Sequence, residues 1–178
     1  MSDLRIIVDH IQFEYSGLFD LNNLFKMVDA WLFERNYEKR TNKNFEENTP
    51  TGKFIEWEIA SWHKATDYVR NIIKIRMLMY DLKKVEATKE KEKAKVTQGR
   101  VIMYFDGYIE FDYLHYWDEH PVLQFLRTLY DKFIFKAYTE RFEQRITYDV
   151  HQIYEMIEKY FNVYRHYKVV TKIPHFAH

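Results

Sequence analysis

An α+β fold is predicted: a curled antiparallel sheet of about five strands, built on a long central hairpin and covered by one N-terminal helix and long C-terminal helices. Three observations predict it. Residues 101–113 alternate, with Val101, Met103, Phe105, Ile109, Phe111 and Tyr113 on one face and Ile102, Tyr104, Asp106, Tyr108, Glu110 and Asp112 on the other, the period of a strand with one wet side. Leu21, Leu24, Phe25, Val28, Trp31 and Leu32 recur at the three-and-four spacing of a helix with a single apolar stripe. Only 4 glycines and 3 prolines interrupt 178 residues, so most of the chain is expected in regular elements. That length suits one domain with a sizeable core, expected over 1–170, with 171–178 as a flexible tail.

Leu4 to Tyr15 is strand-like with a broken phase: Leu4, Ile6 and Val8 share one face, and Ile7, Ile11, Phe13 and Tyr15 the other. A bulge or burial on both faces accounts for the break. Ser16-Gly17 turns the chain, and the Asp20 carboxylate is placed to accept the free amides of the helix that runs to about Arg35. Asn36 to Glu47 is polar apart from Tyr37 and Phe45, and reads as an exposed edge strand or a loop. Thr49-Pro50-Thr51-Gly52 is a turn signal, with proline presetting one backbone angle and glycine free to take a positive one. A strand resumes at Lys53, with Ile55, Trp57 and Ile59 opposite Glu56 and Glu58.

The hairpin spans Tyr68 to Tyr113 without a proline. In its first arm Ile73, Ile75, Met77 and Met79 oppose Lys74, Arg76, Leu78 and Tyr80. Its tip, Lys89 to Lys93, is five consecutive charges, expected to be solvated and mobile. Gly99 and Gly107 mark bulges or bends in the second arm. His120-Pro121 opens a helix with the stripe Phe125, Leu126, Leu129, Tyr130, Phe133 and Ala137. A further helical stripe carries Ile146, Val150, Ile153, Tyr154, Ile157 and Phe161, with a kink or break expected between Phe142 and Thr147.

This order of strand, helix, antiparallel strands and long terminal helix resembles the helix-grip arrangement of START and Bet v 1-type proteins. It departs from that arrangement in having one helix after the first strand where the family has two, and four subsequent strands where it has six. Tyr15-Ser16-Gly17-Leu18-Phe19-Asp20 and Phe105-Asp106-Gly107-Tyr108 are similar to stretches of small uncharacterised archaeal proteins, a resemblance that implies no activity.

Lys plus Arg (27) equal Asp plus Glu (27), so net charge gives no steering toward nucleic acid or an anionic membrane. Without cysteine, disulfides and thiolate chemistry are excluded, and a metal would have to be held by His and carboxylates. Met1 to Arg5 leads into a strand pattern instead of a signal sequence, and no uncharged apolar run approaches 20 residues, so a cytoplasmic protein with no transmembrane segment is expected.

No phosphate loop, dinucleotide fingerprint, nucleophile elbow or His-Glu-x-x-His motif is present, so neither catalytic residues nor a cofactor are expected. His115, Asp118 and His120 place two imidazoles and a carboxylate at a strand-to-helix junction, a pattern that serves a metal or a helix cap. His151, Glu155 and Glu158 share a helical face and serve a metal or a solvated edge. Asp106, Glu110 and Asp112 suit ion pairs with Lys74 and Arg76 across the strands better than an acid/base pair.

The leading functional expectation is a non-catalytic binding module. Its apolar cavity, between the sheet and the terminal helix and lined by Met77, Met79, Phe105, Phe111 and Leu129, takes a small apolar ligand. Flexible methionines and large aromatics at the same positions also make an ordinary filled core. The alternative is a protein or single-stranded nucleic-acid interaction module (an RNA or protein partner) using Lys74, Arg76, Tyr80, Tyr104 and Tyr108 on the wet face, where bases stack on tyrosines.

Overall fold

The computed structural model describes residues 3–89, 92–113 and 135–169. Their order is β1 (Asp3–Phe19), α1 (Leu21–Glu34), β2 (Glu38–Thr49), β3 (Gly52–Lys64), β4 (Val69–Lys89), β5 (Glu92–Phe111), α2 (Phe135–Tyr164) and the two-residue β6 (Lys168–Val169). The five long strands form one antiparallel open sheet in the order β1-β5-β4-β3-β2, and β6 pairs with β4. The predicted helix from His120, the cluster His115, Asp118 and His120, and the tail all lie outside the described residues.

Alternation decides which face of the sheet is covered. Ile55, Trp57 and Ile59 of β3, Ile73, Ile75, Met77 and Met79 of β4, and Val101, Met103, Phe105, Ile109 and Phe111 of β5 are all buried on one side. Each such side chain stabilises the fold by about 1.5–3 kcal/mol. α1 faces this core with Leu24, Val28, Trp31 and Leu32, and Asp20 caps it by accepting from the amides of Asn22 and Asn23. α2 adds Ile146, Val150, Ile153, Ile157 and Phe161, packing against β1, β5 and β4. The kink expected between Phe142 and Thr147 is absent: the helix is continuous through it, since Phe142 packs on the core and Ile146 continues the same buried stripe.

Gly107 sets how closely α2 approaches. A Cβ built there would lie 3.1 Å from Val150 Cγ2 and 3.2 Å from Ile146 Cγ1, so the helix rests on bare backbone. Gly52 plays a similar part beneath the β2–β3 turn, where a Cβ would be 2.6 Å from the backbone carbon of Asp81. Asp81 itself has a φ of 55° and sits in a register shift between Tyr80 and Lys83.

The broken phase of β1 is a double register shift, between Ile6 and Val8 and again between Val8 and Ile11. Leu4 and Ile6 are exposed, whereas Val8 is buried beside Phe13 and Tyr15. β2 is a strand, exposed along almost its whole length. Its row of charges keeps an open sheet edge from recruiting further strands.

Polar links bind the early chain to α2. The Tyr160 hydroxyl donates to Asp20 O at 2.6 Å and accepts from Asp20 N at 3.1 Å. Asp149, 1% exposed, receives the Tyr37 hydroxyl at 2.8 Å and Arg35 Nη1 at 3.2 Å. Burial together with the Asp149 charge pushes the Tyr37 hydroxyl pKa far above the ordinary tyrosine range. Residues 90 and 91 of the charged tip lie outside the described residues, and the ladder below the tip is partly covered. Ala87 is fully buried with Leu18 and Val96, with Tyr164 and Tyr167 against them, and β6 pairs there at Ala87.

Candidate functional site

Of the expected cavity residues, Met77, Met79 and Phe105 are fully buried and Phe111 nearly so, all in the main core; Leu129 lies outside the described residues. In the same core the sheet carries one polar side chain that sequence reasoning missed. Asn71 of β4, between Val69 and Ile73 and in register with His63 and Ile109, is fully buried, and neither its amide nitrogen nor its oxygen has a hydrogen-bond partner among the described residues. A buried polar group in that state costs about 1–3 kcal/mol.

The opposite face is a lattice of ion pairs. Arg76 holds Glu56 with Nε at 3.0 Å and Nη2 at 2.8 Å, and Lys43 reaches the same carboxylate at 2.6 Å. Lys74 lies 3.1 Å from Glu58, and Arg70 is paired with Glu110. The hydrogen bond from Lys43, and then that from Arg76, hold the Glu56 carboxyl below its ordinary pKa. The carboxylate partners of Lys74 and Arg76 therefore come from β3, one strand over from the β5 residues expected, because β4 has a neighbour on each side.

Asp106 and Asp112, expected on the wet face, are 4% and 1% exposed. Among the alternative surface residues, Tyr80 packs against Phe54 with ring centroids 5.1 Å apart and Tyr104 against His10 at 5.9 Å. Burial, then the charge of Asp106, raises the Tyr108 pKa. His151, Glu155 and Glu158 are exposed, with Glu155 paired to Lys159.

Burial of Asp106 has a local cause. At the double shift of β1, His10 adopts a φ of 49° and its backbone N–H donates to Asp106 Oδ1 at 2.8 Å. Its Nδ1 is 2.8 Å from Asp9 Oδ1 and 3.0 Å from Asp106 Oδ1. Among the described residues these three are the group of His and carboxylate donors that converges, all within 4.8 Å of one another. The signal available in the sequence was Asp9-His10 standing where the strand phase breaks.

A cleft of about 630 Å³ opens at the start of α1, between Asp20, Leu21, Asn22 and Phe25 of that end, Glu46 and Lys53 of β2 and β3, and 84–86 and 95–97 of the hairpin. Leu21 and Phe25 supply its apolar side chains, and Lys53, Lys84 and Lys95 stand in its lining with Asp20, Glu46 and Glu86. Lys53 is paired with Glu46, while Lys84 and Lys95 have no ion pair among the described residues. No described helix is long and apolar enough to cross a membrane. Comparison of the chain with protein-family models, curated proteins and solved structures returns no match.

Proposed function

We propose that the chain is a non-catalytic binding module for a small ligand with an apolar body and one anionic group, seated in the cleft between α1 and the β4–β5 hairpin. The observation that carries this reading is the cleft: about 630 Å³ falls within the 300–1,000 Å³ typical of small-molecule sites. Leu21 and Phe25 match an apolar body. Lys84 and Lys95, free of carboxylate partners among the described residues, match an anionic end. The helix amides at this end are already taken by Asp20, which leaves the lysines as the anion's partners. The ligand expected for Met77, Met79, Phe105, Phe111 and Leu129 is small and apolar; the one proposed keeps the apolar body, adds an anionic group and moves the seat, because the first four side chains are enclosed in the packed core.

Titration with straight-chain carboxylates of six to twelve carbons, followed by amide chemical shifts, tests the reading. Saturable shifts at Phe25, Val85 and Val96, weakened about tenfold by Lys84→Gln with Lys95→Gln, support it. Absence of saturable shifts at millimolar ligand refutes it. Salt-dependent binding of mixed single-stranded RNA that survives both substitutions would favour the sheet's open face instead.

A further inference from the structure

We propose that Asp9, His10 and Asp106 form a divalent transition-metal site, with Zn²⁺ as the cation that fits best. The site is independent of the cleft: it stands at the β1 bulge, on residues that do not line it.

The first support is convergence. Ligands at about 2.1 Å from a zinc ion, in tetrahedral or octahedral array, sit roughly 3.0–3.4 Å from one another. His10 Nδ1 lies 2.8 and 3.0 Å from one oxygen of each carboxylate, close to that spacing, and all three donors lie within 4.8 Å of one another. The donors come from two strands and are brought together by the double register shift of β1 and the left-handed φ of His10. The His10 amide bond to Asp106 Oδ1 fixes the two strands at this point.

Charge is the second support. The Asp106 side chain is 6% exposed, and a buried carboxylate is costly without a compensating cation. Lys74, its register neighbour on β4, is engaged by Glu58 at 3.1 Å. A divalent ion bound by a neutral imidazole and two carboxylates makes the cluster neutral. Asp9 and His10 are exposed, which gives the ion a path in and leaves room for water to complete its shell. One nitrogen with two oxygens selects a borderline cation over Ca²⁺ or Mg²⁺, whose shells are built of oxygen.

Calorimetric titration of the full chain with Zn²⁺ and, separately, Ca²⁺ tests the site. One equivalent of Zn²⁺ is expected, with Ca²⁺ silent. His10→Ala should weaken that binding at least tenfold. Asp9→Asn should do the same while leaving the fold intact, since Asp9 is exposed. A Co²⁺-loaded protein should show the visible absorption of a nitrogen-and-oxygen site, lost in His10→Ala. Zn²⁺ binding unchanged in both variants overturns the proposal, as does wild-type protein that takes up no Zn²⁺; either result leaves His10 as a hydrogen-bonding bridge between two carboxylates.

Discussion

Replacing Asn71 by leucine should stabilise the protein. Leucine branches at the same carbon as asparagine, so it fits the site between Val69 and Ile73 with the shape largely kept, and it removes two unpaired amide groups from a fully buried position. Relieving the unpaired amide returns about 1–3 kcal/mol, and the new apolar surface adds to this. The bulkier tetrahedral branch in a packed core takes back about 1 kcal/mol or more. A net gain of about 1–2 kcal/mol follows, equivalent to a rise in Tm of about 2–4 °C per kcal/mol for a chain of this size. Urea unfolding should show the midpoint moving up with the slope unchanged. Asn71→Asp, which buries a charge at the same place, should lose several kcal/mol. If Asn71→Leu loses more than about 1 kcal/mol at constant slope, the amide is bonded in solution and the reasoning fails.

Trp31→Ala should cost about 3–5 kcal/mol by chemical denaturation, because Trp31 is buried on the α1 stripe; a loss below about 1 kcal/mol would mean that α1 covers the sheet with another face. Tyr37→Phe takes the hydroxyl from the buried Asp149 carboxylate and should cost about 1.5–3 kcal/mol in the same assay. Gly107→Ala should cost about 1–3 kcal/mol, as its methyl meets Val150 and Ile146 inside contact distance; a neutral result would show α2 free to lift. Glu56, held below its ordinary value of 4.5 by Lys43 and Arg76, stabilises the folded state above that value. This contribution is lost as pH falls through the depressed folded value. Denaturation midpoints between about pH 5 and pH 3 should therefore decline less steeply in Glu56→Gln than in wild type.

Elements governed by local chemistry were legible in the sequence. The α1 stripe and its Asp20 cap, the turn at Thr49 to Gly52, the two faces of the hairpin's apolar residues and the bulge in β1 all follow from spacing within a dozen residues. Residues whose state is set from a distance were not. Asp106 looked wet by alternation, yet the amide and ring of His10, brought over from another strand, cover it. Glu56 and Glu58, rather than the β5 acids, hold Arg76 and Lys74, because alternation assigns faces and does not assign neighbours. Ala87 lies in a charged stretch and is buried only because Tyr164, Tyr167 and β6 return to it. The cluster of Asp9, His10 and Asp106 was hidden for the same reason: its residues come together only once β1 has joined β5.

That pairing of the first strand with the last long one has a consequence for biosynthesis. β2, β3, β4 and β5 are neighbours in sequence as well as in the sheet, so each can zip onto its predecessor as it leaves the ribosome. β1 has no such partner: it is made first, ends at Phe19, and must wait until Glu92 to Phe111 has been translated. At about 5–20 residues per second that wait is roughly 5–18 s. Through it Val8, Phe13, Tyr15 and Phe19 stay uncovered, and the segment most exposed to wrong pairing or to chaperone capture is β1 itself. Slow steps in refolding should accordingly belong to the docking of β1, whose contacts span the greatest sequence separation in the sheet.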